Sequence, residues 1–384
     1  MSFILFIAAV IGLNVYDWWK LKRAFLQGQP IGAAVLLVFI LLLLMGPAWM
    51  RPIFSRGNQP RFLVQACWIW LAWSFWMFVA LIVCDLWNLV FLLCQMTFKQ
   101  SIPVQWMLGP QGCVWVALGF VAFGTLWGLV EANAIRLRTV EIASVKVPES
   151  ADGFKLVLLS DIHLGPAATQ RKLKKVIRMV EEASPDLVLS AGDLIDGSQE
   201  RELKMAECLA ELAPPYGKIA VYGNHDVYSG LDFSRKCHEA AGFKLLENQS
   251  AQPVDWLWIY GEKDPASGWH PGYKGEKTVD VEKGPEGAFC VLLKHRPDVS
   301  KQGQGTDGVT PSPLPDLQLS GHSHGGQIFP FNYLVRLQYK YREGRLHKLQ
   351  GGMRLYVSPG TGVWGPPFRL FARPEITLFV FKKE

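Results

Sequence analysis

Five short polar blocks in the second half of the sequence carry residues of metal-binding type. They are Asp161-x-His163, Gly192-Asp193, Gly223-Asn224-His225-Asp226, His295 and Gly321-His322-Ser323-His324. Imidazole, carboxylate and amide ligands together suit divalent metals such as Mn, Fe or Zn, whereas an all-oxygen site would favour Mg or Ca. A carboxylate can also bridge two cations about 3.5 to 4 Å apart, the separation used for in-line displacement at phosphorus. The residue types therefore predict a metal centre suited to phosphate-ester chemistry.

The elements that must position these blocks are strands, because each block follows an apolar run. "FKLVLLSD", "DLVLSAGD" and "KIAVYGNHD" read as buried strands, and the amphipathic stretches 171–183 and 202–212 between them read as helices. This alternation predicts right-handed crossovers and mostly parallel neighbours. Ligand sites collect at the carboxyl ends of such strands. We therefore expect the five blocks to converge at one edge.

A second sheet is predicted from the later apolar runs, which have little helix between them. These runs are "WLWIYG", "AFCVLLKH", "DLQLSGH", "RLYVSPG" and "ITLFVF". The fold class predicted for residues 154–384 is therefore α/β, with this second sheet packed on the first.

The order of the blocks resembles the DxH, GDxx(D), GNH(D/E), H and GHxH motifs of the calcineurin-like metallophosphoesterase superfamily, with no substitution. "LLSDIHLG", "GHSHGGQIFP" and "YVSPGTGVWGPPFRLFARPEITLFVF" are similar to the membrane-associated bacterial YkuE and YaeI type of that superfamily. The resemblance covers about residues 154–381 and implies a two-sheet α/β/β/α sandwich. The segment 261–289 departs from the bacterial pattern, and 302–315 is a low-complexity insertion.

The resemblance also implies a role for each site residue. It assigns one metal to Asp161, His163, Asp193 and His324, and the other to Asp193, Asn224, His295 and His322. Asp193 is then the bridge, and His322 and His324 address different metals. His225 is a catalytic group beside the leaving oxygen, and Asp226 is expected to hold its imidazole in the useful tautomer. The expected nucleophile is a water whose pKa the metals lower to about 7.

Taken singly, several of these residues have simpler interpretations. Asp161 and Asp193 could cap helices, and His295 alone could be a core histidine. Asp196 could support the ligands without binding metal itself, or could be a turn residue, and it is left out of the ligand set. Three further histidines match no block and are expected at the surface: His238, His270 and His347. Only the joint occurrence of seven ligand-type residues favours the metal centre.

The first 135 residues are predicted to be a multi-pass membrane anchor. Four stretches are apolar enough to approach a membrane span: 2–16, 31–50, 62–83 and 113–130. The first lacks the basic start and the cleavage site of a signal peptide. Apolar character beyond Asp85 leaves open a kinked or re-entrant segment at 86–96, with Asp85 at the interface. Residues 136–153 are then a linker to the domain at 154–384.

The charge balance bears on partners and on the side of the membrane. The net charge is +6, from 39 basic and 33 acidic residues, and no run of five basic residues occurs, which argues against a nucleic-acid binder. Four spans would place the basic residues Arg51, Arg56, Arg61, Arg136, Arg138 and Lys146 on one side, against Lys20, Lys22, Arg23 and Lys99 on the other. The positive-inside rule then favours a cytoplasmic domain. The sequon at Asn248 favours the opposite side.

Three functions are compatible with this organisation. The first is a membrane-bound, metal-dependent hydrolase of a phosphomonoester or phosphodiester, with a lipid headgroup as one candidate substrate. The second is a silent scaffold or sensor that retains the fold, although no ligand has been lost here. The third is a transporter with a regulatory domain, but the spans show no repeated broken helices and one intramembrane carboxylate.

Overall fold

The chain forms two compact units, Met1–Gly128 and Leu129–Glu384. The computed structural model describes residues 3–26, 60–98, 106–269, 284–299 and 315–384. The first unit is helical and contains α1 (Phe3–Phe25), α2 (Arg61–Phe98) and most of α3 (Pro110–Asn133). The expected span at 31–50 lies outside the described residues, as do residues 270–283 of the segment 261–289 and residues 302–314 of the insertion 302–315.

Polar contacts join α1 to α2 within the first unit. The Tyr16 hydroxyl donates to Oδ2 of Asp85 at 2.6 Å, and Lys20 pairs with the other oxygen of that carboxylate. The Ser74 hydroxyl donates to Oδ1 of Asn14 at 3.0 Å. Asp85 is thus held by two side chains of α1.

Two of the described helices, α2 and α3, are long and apolar enough to cross a membrane. They contain the expected spans 62–83 and 113–130, and α1 contains most of 2–16. Helix α2 continues past Asp85 to Phe98, so the segment 86–96 belongs to the same 38-residue helix. At about 1.5 Å per residue it is longer than the roughly 30 Å hydrocarbon core.

The second unit contains twelve described strands in two sheets. In chain order they are β1 (Arg136–Ser144), β2 (Lys155–Leu159), β3 (Leu187–Ser190), β4 (Lys218–Ala220), β5 (Lys244–Leu245), β6 (Gln249–Val254), β7 (Leu257–Gly261), β8 (Phe289–Leu293), β9 (Leu317–Ser320), β10 (Leu346–Lys348), β11 (Arg354–Val357) and β12 (Glu375–Lys383). The first sheet has the order β1-β12-β2-β3-β4-β5 and the second β10-β11-β9-β8-β7-β6. The two-sheet α/β fold is confirmed.

Among the described residues of this unit, five further α-helices accompany the strands: α4 (Gln170–Ala183), α5 (Glu200–Glu207), α6 (Asn224–Ser229), α7 (Leu231–Ala240) and α8 (Phe331–Gln338). Strands β2 to β5 are parallel, as predicted. Helix α4 begins after Thr169, whose hydroxyl accepts from the Lys172 amide at 3.2 Å.

Alternate residues of β2 point into different cores. Val157 and Leu159 belong to the core beneath the helices, where they meet the buried face of α4. Leu156 and Leu158 belong to the core between the sheets, together with residues such as Val291 of β8. The period of two along a strand produces this division, so the first sheet is covered on both faces.

Two segments differ from the sequence expectation. The stretch 136–153, expected to be a linker, contains strand β1, which pairs in parallel with β12. The run "ITLFVF", expected in the second sheet, forms β12 and lies between β1 and β2 in the first. Strand β1 shows the alternating exposure of a half-buried strand. Hydrophobicity identifies β12 as buried but does not encode the sheet that it joins.

Candidate metal centre

The seven predicted ligands lie just beyond strands of both sheets. Asp161 and His163 follow β2, Asp193 follows β3, Asn224 begins α6 after β4, His295 follows β8, and His322 and His324 follow β9. Strands β2, β3 and β4 are mutually parallel, so their carboxyl ends share one edge of the first sheet. Strands β8 and β9 are parallel as well, and their carboxyl ends share one edge of the second sheet.

Six of these residues form two groups whose potential ligand atoms lie within 4.8 Å of one another. The groups are Asp161, His163 and His324, and Asp193, His295 and His322. In the first, Nε2 of His324 is 2.9 Å from Nε2 of His163 and 3.3 Å from Oδ1 of Asp161. In the second, Nε2 of His295 is 3.2 Å from Nδ1 of His322. Each group brings together three residues of one ligand set implied by the sequence resemblance.

The Asp193 carboxylate belongs to the second group and also reaches the first. Its Oδ2 is 3.1 Å from Nε2 of His295 and 3.6 Å from Nε2 of His163. Burial alone would raise the pKa of this carboxyl, but the imidazoles of His295 and His225 hold it well below its usual range. Asp193 is therefore an anion within reach of both groups.

The Asn224 amide adds an oxygen suited to a metal. Its Oδ1 is buried and accepts no hydrogen bond within the described parts of the chain. Leaving a buried acceptor unsatisfied costs about 1–3 kcal/mol, and coordination of a cation would remove that cost. The residue follows Gly223, where a Cβ would collide with Oδ1 of Asp193, so the backbone that carries Asn224 passes close to that carboxylate.

Two of the imidazoles are neutral and can bind metal directly, whereas that of His295 must first lose a proton. Nδ1 of His295 lies 2.7 Å from the Ala191 carbonyl and Nε2 lies 3.1 Å from Oδ2 of Asp193. Burial alone would lower the pKa of His295, but the Asp193 carboxylate raises it to about 10, so a metal at Nε2 would displace the proton there. Burial lowers the pKa of His163 to about 4 and that of His322 to about 3. The rings of His163 and His322 are thus neutral near pH 7, as ligation requires.

The backbone is strained at five of the predicted ligands. Left-handed φ values occur at Asp161 (52°), His163 (49°), Asp193 (55°), His322 (75°) and His324 (51°). Such conformations are uncommon for non-glycine residues and cluster at functional sites. Glycine is also required beside them, because a Cβ at Gly321 would collide with the side chains of Ser160 and Asp161.

The partner of His225 is Asp196 and not Asp226. Oδ1 of Asp196 is 3.0 Å from Nδ1 of His225. The Asp226 carboxylate instead accepts from the backbone amides of Asp193 (2.8 Å), Gly223 (2.8 Å) and Ile195 (3.1 Å). The expectation that Asp226 holds the imidazole is therefore wrong, because its carboxylate turns back from the first turn of α6 to the loop after β3. Asp196, omitted from the sequence prediction, also groups with His163.

Arg369 is a second residue that the sequence prediction missed. Its fully buried guanidinium donates to the carbonyls of Pro359 and Gly362, each at 2.7 Å, and to that of Ala372 at 3.0 Å. Nη2 lies 3.1 Å from Nδ1 of His324. Arg369 thus ties the loop between β11 and β12 to a predicted ligand. The single charge inside the apolar run "PPFRLFA" is the sequence signal that could have identified this residue. A charged side chain is rarely buried unless it has partners.

Aromatic rings surround the centre. The His225 ring lies 5.3 Å from the Trp364 ring and 5.6 Å from the Tyr228 ring. The His322 ring lies 5.7 Å from the Tyr339 ring. These rings give the site apolar walls beside its polar ligands.

One of the histidines outside the blocks is not at the surface. His238 is fully buried on α7, where its Nδ1 lies 2.9 Å from the Ser234 carbonyl. The expectation of exposure is wrong here because α7 packs this face against the core. His347 is partly exposed, and His270 lies outside the described residues.

Comparison with known proteins agrees with this geometry. A family model described as calcineurin-like phosphoesterase matches residues 154–326. The chain is 36% identical over 282 residues to the "Transmembrane protein with metallophosphoesterase domain" of Danio rerio, covering 70% of this chain and 62% of that protein. It is 33% identical over 261 residues to an uncharacterized metallophosphoesterase of Aquifex aeolicus, covering 66% of this chain and 94% of that protein. It is 34% identical over 263 residues to the uncharacterized metallophosphoesterase YkuE of Bacillus subtilis, covering 66% of this chain and 87% of that protein. The chain therefore spans less than two thirds of the fish relative.

Proposed function

Because this chain belongs to the calcineurin-like metallophosphoesterases, we propose that it is a membrane-anchored phosphohydrolase with two metal ions. It would cleave a phosphomonoester or phosphodiester by in-line attack, without a covalent enzyme intermediate. The observation that carries the proposal is the position of the Asp193 carboxylate, within 3.6 Å of a histidine from each of the two ligand groups.

The residues divide naturally between two ions. One ion would be held by Asp161, His163, Asp193 and His324, and the other by Asp193, Asn224, His295 and His322. The imidazole, carboxylate and amide donors suit Mn, Fe or Zn. When bound, these ions supply an acidified water and the positive charge that displacement at phosphorus needs. The chain's own contribution is to keep the ligands buried and close together.

His225 is the proposed proton donor to the leaving oxygen. Burial alone would lower its pKa, but the carboxylates of Asp193 and Asp196 raise it to about 9, so the ring is protonated near pH 7. Since Asp196 engages Nδ1, the proton on Nε2 is available to the substrate. The Trp364 and Tyr228 rings beside His225 would contact the organic part of the leaving group.

Membrane anchoring is the second part of the proposal. It is supported by the lengths and compositions of α2 and α3 and by the name of the fish relative. A multi-pass anchor would also include α1 and the stretch 31–50, and the distribution of basic residues favours a cytoplasmic domain. An anchored site lies near the bilayer, which makes a lipid headgroup a candidate substrate.

The test compares two aspartate variants of the full chain in detergent. Asp193→Ala removes the shared carboxylate, and Asp255→Ala removes an exposed one from the turn between β6 and β7. With Mn²⁺ supplied, we expect the wild type and Asp255→Ala to hydrolyse aryl phosphomonoesters or phosphodiesters, and a lipid-phosphate panel to identify the preferred class. Asp193→Ala should be inactive. Full activity in Asp193→Ala would contradict the proposal, and an inactive metal-loaded wild type would favour the silent scaffold.

A further inference from the structure

Helix α8 exposes apolar side chains directly after the loop that carries His322 and His324. Tyr333, Leu334 and Leu337 are 57%, 51% and 85% exposed. They lie on one side of the helix, because residues three and four positions apart are neighbours. Asn332 is buried against Gly326, where a Cβ would collide with the backbone of Asn332. The helix is therefore fixed to the metal-ligand loop while its apolar side stays uncovered.

The exposed area continues onto the loop between β11 and β12. The Phe329 ring lies 6.0 Å from that of Tyr333 and 5.7 Å from that of Phe371, and Phe371 is 55% exposed. We call Tyr333, Leu334, Leu337 and Phe371 the α8 surface. Contiguous apolar patches of this kind mark sites of interaction with proteins or membranes.

Basic side chains border the α8 surface. Residues 327–348 contain one acidic residue, Glu343, and five exposed basic residues: Arg336, Lys340, Arg342, Arg345 and Lys348. The Arg336 guanidinium lies over the Tyr333 ring, 5.4 Å from its centre. Apolar and aromatic residues bordered by Lys and Arg are typical of helices that lie in the interface of anionic membranes.

The α8 surface also adjoins the end of a candidate membrane span. The Phe371 amide donates to Oε2 of Glu131, in the last turn of α3, at 2.9 Å. Arg373 donates to the Ala134 carbonyl, directly after α3, and Lys175 donates to the Asn133 carbonyl at 2.7 Å. If α3 crosses the bilayer, the residues bonded to its end lie at the bilayer surface.

We propose that the α8 surface docks on an anionic lipid bilayer, with its apolar side chains among the headgroups. The inference rests on the membrane anchoring proposed above. It gives the proposed lipid substrate a route to the metal centre, because both segments of the surface reach that centre. Tyr339 follows α8 and contacts His322, and Trp364 precedes Phe371 in its loop and contacts His225. Docking therefore brings the phosphoesters of lipid headgroups to the predicted ligands.

Photo-crosslinking of the full chain tests this contact directly. A benzophenone amino acid replaces Leu337 in one variant and Val145 in the control, and each is reconstituted in nanodiscs of phosphatidylcholine and phosphatidylglycerol. Val145 is 70% exposed and follows β1, whose nine residues at about 3.3 Å each place it about 30 Å from the end of α3. Lipid adducts are counted by mass spectrometry, which requires no enzymatic activity.

We expect several-fold more lipid adduct at position 337 than at position 145, and a several-fold loss at 337 in pure phosphatidylcholine. Equal yields at the two positions, or adducts at 337 with protein in place of lipid, would overturn the proposal. An unchanged yield in phosphatidylcholine would overturn the assignment of an anionic surface. If the protein hydrolyses phosphoesters but forms no lipid adduct, docking is refuted and the proposed activity stands. The two proposals therefore fail separately.

Discussion

Oδ1 of Asp196 lies 3.0 Å from Nδ1 of His225, whereas the neighbouring carboxylate of Asp226 is fully engaged by backbone amides. The two carboxylates thus have different roles. Asp196 contacts the imidazole of His225 and raises its pKa, and Asp226 fixes the conformation of the loop that presents Asp193.

The Asp196→Asn variant should shift the alkaline limb of the pH profile of kcat. His225 is the proposed acid, so activity falls as pH rises through its pKa. Two carboxylates raise that pKa to about 9 without metal. Cations beside Asp193 would offset its negative charge and lower the pKa of His225, which places the limb below about 9. Removing the charge of Asp196 lowers the pKa and moves the limb to lower pH.

The measurement is kcat for an aryl phosphodiester between pH 6 and 10 at saturating metal. Asp255→Asn is the control, because Asp255 is exposed in the turn between β6 and β7, so the limb should keep its position. An alkaline limb that stays in place in Asp196→Asn would refute the role given to this pair.

Gly321→Ala should damage the ligand group of Asp161, His163 and His324. A Cβ there would collide with the side chains of Ser160 and Asp161, and overpacking of this kind costs about 1–3 kcal/mol. Gly268→Ala is the matched control, since a Cβ at Gly268 meets nothing within 4 Å. Thermal unfolding and metal content of the two variants check this. Equal stability and metal content in both would be incompatible with the described packing.

Arg369→Lys should weaken metal binding even though the charge is kept. An ammonium cannot reproduce the forked donation to the carbonyls of Pro359, Gly362 and Ala372. Groups that orient ligands typically contribute 10- to 100-fold in metal affinity, so we expect a loss of about that size for one ion. Calorimetric titration with Mn²⁺ measures it, and Arg345→Lys at an exposed position is the control. Identical affinities in the two variants would remove Arg369 from the site.

The sequence predicted the features that depend on local pattern. The apolar runs identified β2, β3 and β4, and the spacing of apolar residues identified the buried face of α4. Pairing between distant segments cannot be deduced from local pattern, so the predictions of a linker at 136–153 and of β12 in the second sheet are wrong. Among site residues, the motifs supplied the ligand types, but only the three-dimensional arrangement distinguishes Asp196 from Asp226. Arg369 acts through contacts with carbonyls, and no spacing in the sequence reveals those contacts.

Metal content is the most direct test of the binuclear centre. The full chain and its His322→Ala and His324→Ala variants are loaded with Mn²⁺, freed of excess metal and analysed by elemental mass spectrometry. The two histidines lie in different ligand groups, so we predict about two ions per chain in the wild type and about one in each variant. A single ion in the wild type, or two ions retained in both variants, would contradict the account.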